Sequence, residues 1–457
     1  MGKKINVIVQ LHPSAQIAAF ALDAGAPGPS LPAVDGIAWD WDYGAQRIGA
    51  APAGTFDVLA EDAAGDEMYI ARGQVDSDDL PALFAAVEAA PETRAVFSDP
   101  LIQPFITCGN SPAVGNAANV AALLGDAALA QKGMTGKDVA VAIVDTGIDV
   151  AFLTPKVTHV NFDATRSFSF SPTVTPGAVT ANHGTMCAFD VKIGAPDATL
   201  IDIAVLHPAT LTNLLSDAIR AYRHMLDLIV RGNLFGTFKA LVVTNSWGVF
   251  DPAADMPPPS NYIDNPAHPL NVIVGTLARA GADILFAAGN CGPQCQDIRC
   301  GTSVGGTIYG ANSSADVCCV AGVDINKQRV GYSSMGPGRL TAAKPDLAGY
   351  THFAGSGVHS IDSGTSAATP VVAGFFAAVR SRISQSSKTP ADFRKLMIAG
   401  LDRAGTTGHD LGIGFGIVDG ATFLAHQTGA GGGVLDIESA PPPAVDDDQA
   451  ARDISQP

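Results

Sequence analysis

The sequence predicts an α/β protein: a mostly parallel sheet covered by helices on both faces, preceded by a small α+β unit. Three observations predict it. From Val139 onward, short runs rich in Val, Ile, Leu and Ala recur without polar alternation, as strands buried on both faces do. Stretches of helical period separate those runs. Before Val139 the pattern is weaker, with strand-like runs around a single amphipathic helix.

In chain order, residues 1–110 carry strand-like runs at Ile5–Leu11, Phe56–Ala60 and Met68–Gln74. A helix from Asp79 to Ala90 places Leu80, Leu83, Phe84 and Val87 on one face, and Ala95–Ser98 is extended. Asn116–Lys132 reads as one helix, with Val120, Leu123, Leu124 and Ala127 at helical spacing. The buried strands are Val139–Val144, Thr199–Val205, Ala240–Asn245, Ile284–Ala288 and Val317–Val323, with helices at Leu211–Arg231 and Pro269–Ala280. Ser366–Ile383 is apolar nearly all round and reads as a buried helix. The main domain is thus expected over 111–427. The Gly/Pro/Asp-rich tail 428–457 holds too little apolar material to fold and is expected to be disordered.

Composition narrows the function. Of 457 residues, 47% are hydrophobic and 16% charged, which supports a substantial core. A net charge of −17 opposes binding of phosphate backbones or anionic membranes. No run of about 18 apolar residues offers a membrane span. The apolar run after Lys3 and Lys4 is too short and polar for a secretory leader. A cytoplasmic protein is therefore expected, with non-classical export as the other route. Seven cysteines, an odd number, read mainly as reduced thiols serving as small apolar residues.

Three residues carry the chemistry. Asp145 ends the strand Val139–Val144, His183 opens a helix in Asn182-His183-Gly184-Thr185, and Ser366 starts the buried helix within Gly364-Thr365-Ser366-Ala367-Ala368-Thr369-Pro370. A serine hydroxyl needs an imidazole to take its proton, and the imidazole needs a carboxylate to fix its tautomer. A helix N-terminus favours the negative charge that develops there. Pro370 is expected within the first helical turn, where its missing N–H costs little. Asn290, after Ala287-Ala288-Gly289, can donate its side-chain N–H to an oxyanion.

These blocks resemble the subtilisin-like serine peptidases, the subtilases, in kind and in chain order. Asn245-Ser246-Trp247-Gly248, Lys344-Pro345-Asp346 and Gly414-Phe415-Gly416-Ile417-Val418-Asp419 are similar to the family as well. The resemblance covers about Asn116 to His426 and implies a serine endopeptidase. Ser366 would be the nucleophile, His183 the general base and then acid, and Asp145 its orienter. Asn290 and the Ser366 N–H would form the oxyanion hole. Ser246, Trp247 and Gly248 would pair with an extended peptide or protein substrate, and Ala287, Ala288 and Gly289 would line the pocket before the cut bond. Trp247 is larger than the family's usual residue there and is expected to narrow a subsite. No cofactor and no catalytic metal is implied. Structural calcium is common in the family, with no ligands assigned here.

The N-terminal unit resembles a subtilase propeptide in size and order of elements. By analogy it would be an intramolecular inhibitor, with Ser98–Thr107 in the substrate groove and self-cleavage between Thr107 and Asn119. Its alternative is a permanent accessory domain. Other functional readings are a catalytically silent binding scaffold, or an aspartic peptidase using Asp145 and Asp362. Cys291, Cys295, Cys300, Cys318 and Cys319 lack zinc-knuckle spacing, so a disulfide or plain burial is expected for them. Cys187, one helical turn after His183, is expected as a buried thiol beneath the site.

Overall fold

The computed structural model describes residues 3–14, 17, 31–48, 68–104, 111–171, 173–206, 213–301 and 305–428. The strand expected at Phe56–Ala60 and the tail from residue 429 lie outside these residues.

The N-terminal unit is an antiparallel sheet with one helix. Its strands are β1 (Lys4–Leu11), β2 (Ala38–Trp39), β3 (Gln46–Arg47), β4 (Tyr69–Asp76) and β5 (Thr93–Ser98). They run in the order β2-β4-β1-β5, with β3 also on β4. Side chains alternate across a strand. Val7, Val9 and Leu11 accordingly pack with Leu83 and Val87 of helix α1 (Leu80–Ala89). Ile8 and Ile70 face the other way, into the core of the large domain. The unit therefore completes its sheet by burying one face against its neighbour. Beyond β5 a two-residue strand, β6 (Gln103–Pro104), leads toward the large domain.

Asn116–Lys132 forms two helices rather than the single one expected, α2 (Ala117–Leu124) and α3 (Asp126–Gln131). Gly125 between them has φ +67°, a left-handed conformation that glycine adopts without strain. The apolar spacing continues across the break, so periodicity alone reads through it.

Among the described residues the large sheet has eight strands. These are β7 (Val139–Asp145), β8 (Asn161–Phe162), β9 (Phe168–Ser169), β10 (Thr199–Ala204), β11 (Ala240–Asn245), β13 (Ala282–Ala287), β14 (Cys318–Val323) and β15 (Leu347–Tyr350). The strand β12 (Trp247–Gly248) pairs outside it. The order is β15-β14-β13-β11-β7-β10-β8, with β9 on β10, and the neighbours run parallel. Val139, Val141 and Ile143 enter the core on one face, Ala140, Ala142 and Val144 that on the other. The continuous apolar strands predicted by the sequence are thus covered on both sides.

Helices α5 (His183–Gly194) and α9 (Thr365–Arg380) cover the first face; α6 (Leu215–Val230) and α8 (Pro269–Arg279) cover the second. Short α4 (Val150–Leu153) precedes α5, and short α7 (Leu234–Thr237) lies between α6 and α8 in sequence. At the crossing of α5 and α9 a Cβ on Gly374 would meet the Val191 carbonyl oxygen at 2.3 Å. Only glycine lets the two backbones come so close. Helices α10 (Pro390–Ala399) and α11 (Gly420–Thr428) complete the chain. Asp346 of Lys344-Pro345-Asp346 is bonded by Phe415 of Gly414–Asp419, so these distant motifs meet at the end of β15.

Candidate active site

Parallel strands end together, so the loops leaving β7, β11 and β13 gather at one carboxyl edge. Asp145 closes β7, Ser246 comes directly after β11, and Gly289 and Asn290 lie just beyond β13. Helices α5 and α9 begin at this edge and supply His183 and Ser366 at their first turns.

Asp145 is buried and accepts from the Thr146 N–H at 2.7 Å. Its two carboxylate oxygens lie 2.8 and 2.9 Å from Nδ1 of His183. An ionised carboxylate only accepts, so Nδ1 carries the proton and Nε2 is left to accept one. Nε2 is buried and has no hydrogen-bond partner among the described residues. The Ser366 hydroxyl donates 3.3 Å to the Ser246 carbonyl instead. Asp145 and His183 are thus joined as expected, while the hydrogen bond expected between Ser366 and His183 is not made in this conformation. Catalytic hydrogen bonds are often loose without substrate and tighten when it binds.

Pro370 occupies the sixth position of α9, in its second turn, rather than the first turn expected. Its missing N–H would otherwise bond the Ser366 carbonyl. That carbonyl is taken by the Ser246 hydroxyl at 3.0 Å and the Cys187 thiol at 3.6 Å. Cys187 lies beneath the site, as expected. Burial first, and then Asp145 and Asp190, push its thiol well above the usual range, so it stays neutral.

Asn290 is buried, and Gly289 before it turns with φ +107°. Oδ1 of Asn290 accepts from the Thr365 N–H at 3.0 Å and from Oγ1 of Thr365 at 3.1 Å. With its oxygen so engaged, the carboxamide is oriented with its NH2 turned away from Thr365. Thr365 also accepts from the Gly289 N–H at 3.1 Å, tying the β13 loop to the start of α9.

Trp247 and Gly248 form the antiparallel strand β12 opposite Pro104 and Gln103 of β6. The Trp247 side chain is buried against Phe286, 5.3 Å away edge to face, and belongs to the core. Asn312, which the sequence did not single out, donates to both the Trp247 carbonyl (3.1 Å) and the Ala287 carbonyl (2.8 Å). Arg299, likewise unforeseen, bonds Gln103 at 2.6 Å and Pro104 at 3.3 Å while lying over the Phe250 ring. Neither residue sits in a recognisable motif, so only the folded loops reveal them.

Cys291 and Cys300 form a disulfide beside Asn290, whereas Cys187, Cys318 and Cys319 are buried free thiols. The reduced reading therefore fails for the first pair, whose loop folds Cys300 back under Ala287. Among the described residues, Asp145, His183 and Cys187 are the group whose ligand atoms converge. Their nitrogen and sulfur donors are unlike the oxygen shell calcium takes.

The subtilase family model matches residues 136–416, well over half of the chain. The chain belongs to the subtilase family. As a subtilase it is a serine peptidase, and the aspartic reading falls with that membership: Asp145 engages His183, while Asp362 bonds Ser356. A comparison with curated proteins returns no match.

Proposed function

We propose that this subtilase is an endopeptidase in which Ser366 attacks the substrate carbonyl. In this reading His183 takes the Ser366 proton at Nε2 and returns it to the leaving amine. Asp145 holds the Nδ1–H tautomer and steadies the imidazolium that forms. The Ser366 N–H and the Asn290 amide receive the oxyanion, and water then cleaves the acyl-enzyme. The observation that carries the reading is the Asp145–His183 contact at 2.8 Å beside an accepting Nε2, with Ser366 at the head of α9. Rotation about the Ser366 Cα–Cβ bond would take its hydroxyl from the Ser246 carbonyl toward Nε2.

The N-terminal unit is read as an intramolecular inhibitor of the same site. Backbone pairing of β6 with β12 supports it, since an added strand is how an extended peptide occupies such a groove. The chain from Ser111 onward already bonds the large domain, through Ser111 to His352 at 3.0 Å and Ala117 to Ala354 at 2.9 Å. Self-cleavage is accordingly proposed at the start of the Thr107–Asn119 interval, upstream of Ser111. A disulfide supports work in an oxidising compartment rather than in the cytoplasm expected from the N-terminus.

Intact-mass comparison of wild type with Ser366→Ala tests the reading. A shortened wild type and a full-length variant are expected; equal full-length masses count against autoprocessing and favour a permanent accessory domain. Asn290→Ala should lower kcat by about 10²–10³, a range measured on a relative in this family. A change below about threefold removes Asn290 from the oxyanion site.

A further inference from the structure

Helix α5 carries more than His183. His183, Cys187 and Asp190 stand at i, i+4 and i+7, so they share one face of the helix. The stripe descends about 10 Å from the imidazole into the interior. Each residue meets a group on the segments bearing the other reacting side chains. His183 meets Asp145, Cys187 meets the Ser366 carbonyl, and Asp190 meets Asp362, four residues before Ser366.

The last contact joins two acids in a fully buried place: Asp190 and Asp362 are both 0% exposed. Neither oxygen of Asp190 finds a donor among the described protein groups. Asp362, by contrast, is well supplied, accepting from the Ser356 hydroxyl at 2.6 Å and from the Ser356 N–H. Its own N–H bonds the Phe353 carbonyl at 2.9 Å, closing the loop 353–362. Two touching carboxylates out of water cannot both be ionised. A single proton on Asp190 turns repulsion into a hydrogen bond and satisfies the one acid that lacks a donor. Burial first, and then Asp362, hold the Asp190 carboxyl well above the usual range.

We propose that Asp190 and Asp362 share one proton and act as a positioning clasp between the His183 helix and the segment that delivers Ser366. The clasp fixes the depth of α5 relative to residues 362–366, and hence the path between Nε2 and the Ser366 hydroxyl. The surrounding ionisable groups are few. Asp145 and Cys187 lie above the pair, His359 faces Asp362 from the same loop, and Lys156 bonds the Ser356 carbonyl at 2.8 Å. His359 also feels His183 and is held below the usual imidazole range, first by its partial burial. None replaces the shared proton. The positioning role rests on the peptidase reading above; the shared proton does not.

The test is kcat/KM against pH from 5 to 10 for wild type, Asp190→Asn, Asp362→Asn and Asp190→Ala. Wild type should fall at its alkaline end as the proton leaves and the acids repel. An amide donates without titrating, so Asp190→Asn and Asp362→Asn should stay within about threefold of wild type at pH 7 and lack that fall. Asp190→Ala should lose about tenfold in kcat at every pH, with KM little changed. A wild-type alkaline limb preserved in both amide variants overturns the proposal, as does an alanine variant with the wild-type profile. Should the alanine variant not fold, the two amide variants decide alone. Urea unfolding in the Ser366→Ala background reads the proton without hydrolysis. There, stability should fall from pH 5 to 9 more steeply than when Asp190→Asn is added, and equal slopes overturn the shared proton. A wild type without hydrolysis instead overturns the peptidase reading, so the two failures are distinguishable.

Discussion

Two seams flank the site of Ser366, and they differ in how many polar groups they bury. At the first, α5 crosses α9 backbone against backbone, with Gly374 on Val191 and Gly194 on Phe375. At the second, the N-terminal unit meets the large domain through apolar side chains such as Ile8 and Ile70 and, against α6 and α8, through buried polar groups as well. Arg72, held by Asp40 of its own unit at 2.6 Å, bonds Asp217 across the seam at 2.8 Å, and the Tyr43 hydroxyl bonds the Ser216 carbonyl at 2.9 Å. Asp99 caps α6 from outside, accepting from Ser216 N at 2.8 Å and Oγ at 2.7 Å. His268, its pKa lowered to about 4 by burial, bonds the Ser98 carbonyl at 2.9 Å. The glycine and apolar contacts of the crossing have no titratable handle of their own, and the pH-sensitive element proposed beside them is the Asp190–Asp362 pair. A seam that also buries charged groups responds to pH and to the loss of one partner. The difference fits the proposed roles of catalytic frame and removable cover.

The largest test breaks the first seam. Gly374→Val places side-chain atoms where even a Cβ meets a carbonyl oxygen at 2.3 Å. It should cost more than about 4 kcal/mol of stability, measured by urea unfolding in the Ser366→Ala background; a loss below about 1 kcal/mol would mean the crossing is not tight. The second seam should yield less. Arg72→Met leaves Asp217 buried without its cationic partner, weakening the docked unit by roughly 3 kcal/mol. Limited proteolysis of residues 3–104 should quicken accordingly, and unchanged rates would mean the ion pairs do not hold the unit.

The smallest effect is a slope. Asp99 is pushed up to about 7 because burial outweighs the hydrogen bonds from Ser216. Once freed into water it returns toward 3.8. Between those values the docked form holds a proton the freed form has lost, so docking is strongest at the acid end. It weakens by roughly 1.4 kcal/mol per pH unit as pH rises toward 7. Asp99→Asn should flatten this dependence, read as release of the unit at pH 5 against pH 7; an unchanged slope would assign the pH response elsewhere.

Much of this was legible in the residues themselves. The buried parallel strands announced themselves as uninterrupted apolar runs, and α5 and α9 as helices opening at His183 and next to Ser366. Local signals misled where chain geometry overrides composition. Gly125 splits a helix whose apolar spacing runs on, and Pro370 sits one turn deeper than its motif suggests because its vacated hydrogen bond is met by Ser246 and Cys187. Asn312, Arg299 and the Asp190–Asp362 pair were hidden for another reason: each acts through partners far away in the chain, and no local pattern encodes a contact that only folding creates.

The central claim concerns the reactivity of one hydroxyl, and covalent labelling reads it directly. A fluorophosphonate probe, applied to the full chain before and after limited proteolysis and followed by peptide mapping, should modify Ser366. Labelling should rise once the N-terminal unit is cut away and vanish in His183→Ala. Ser366 left unmodified in both preparations, or labelled equally without His183, would contradict the account.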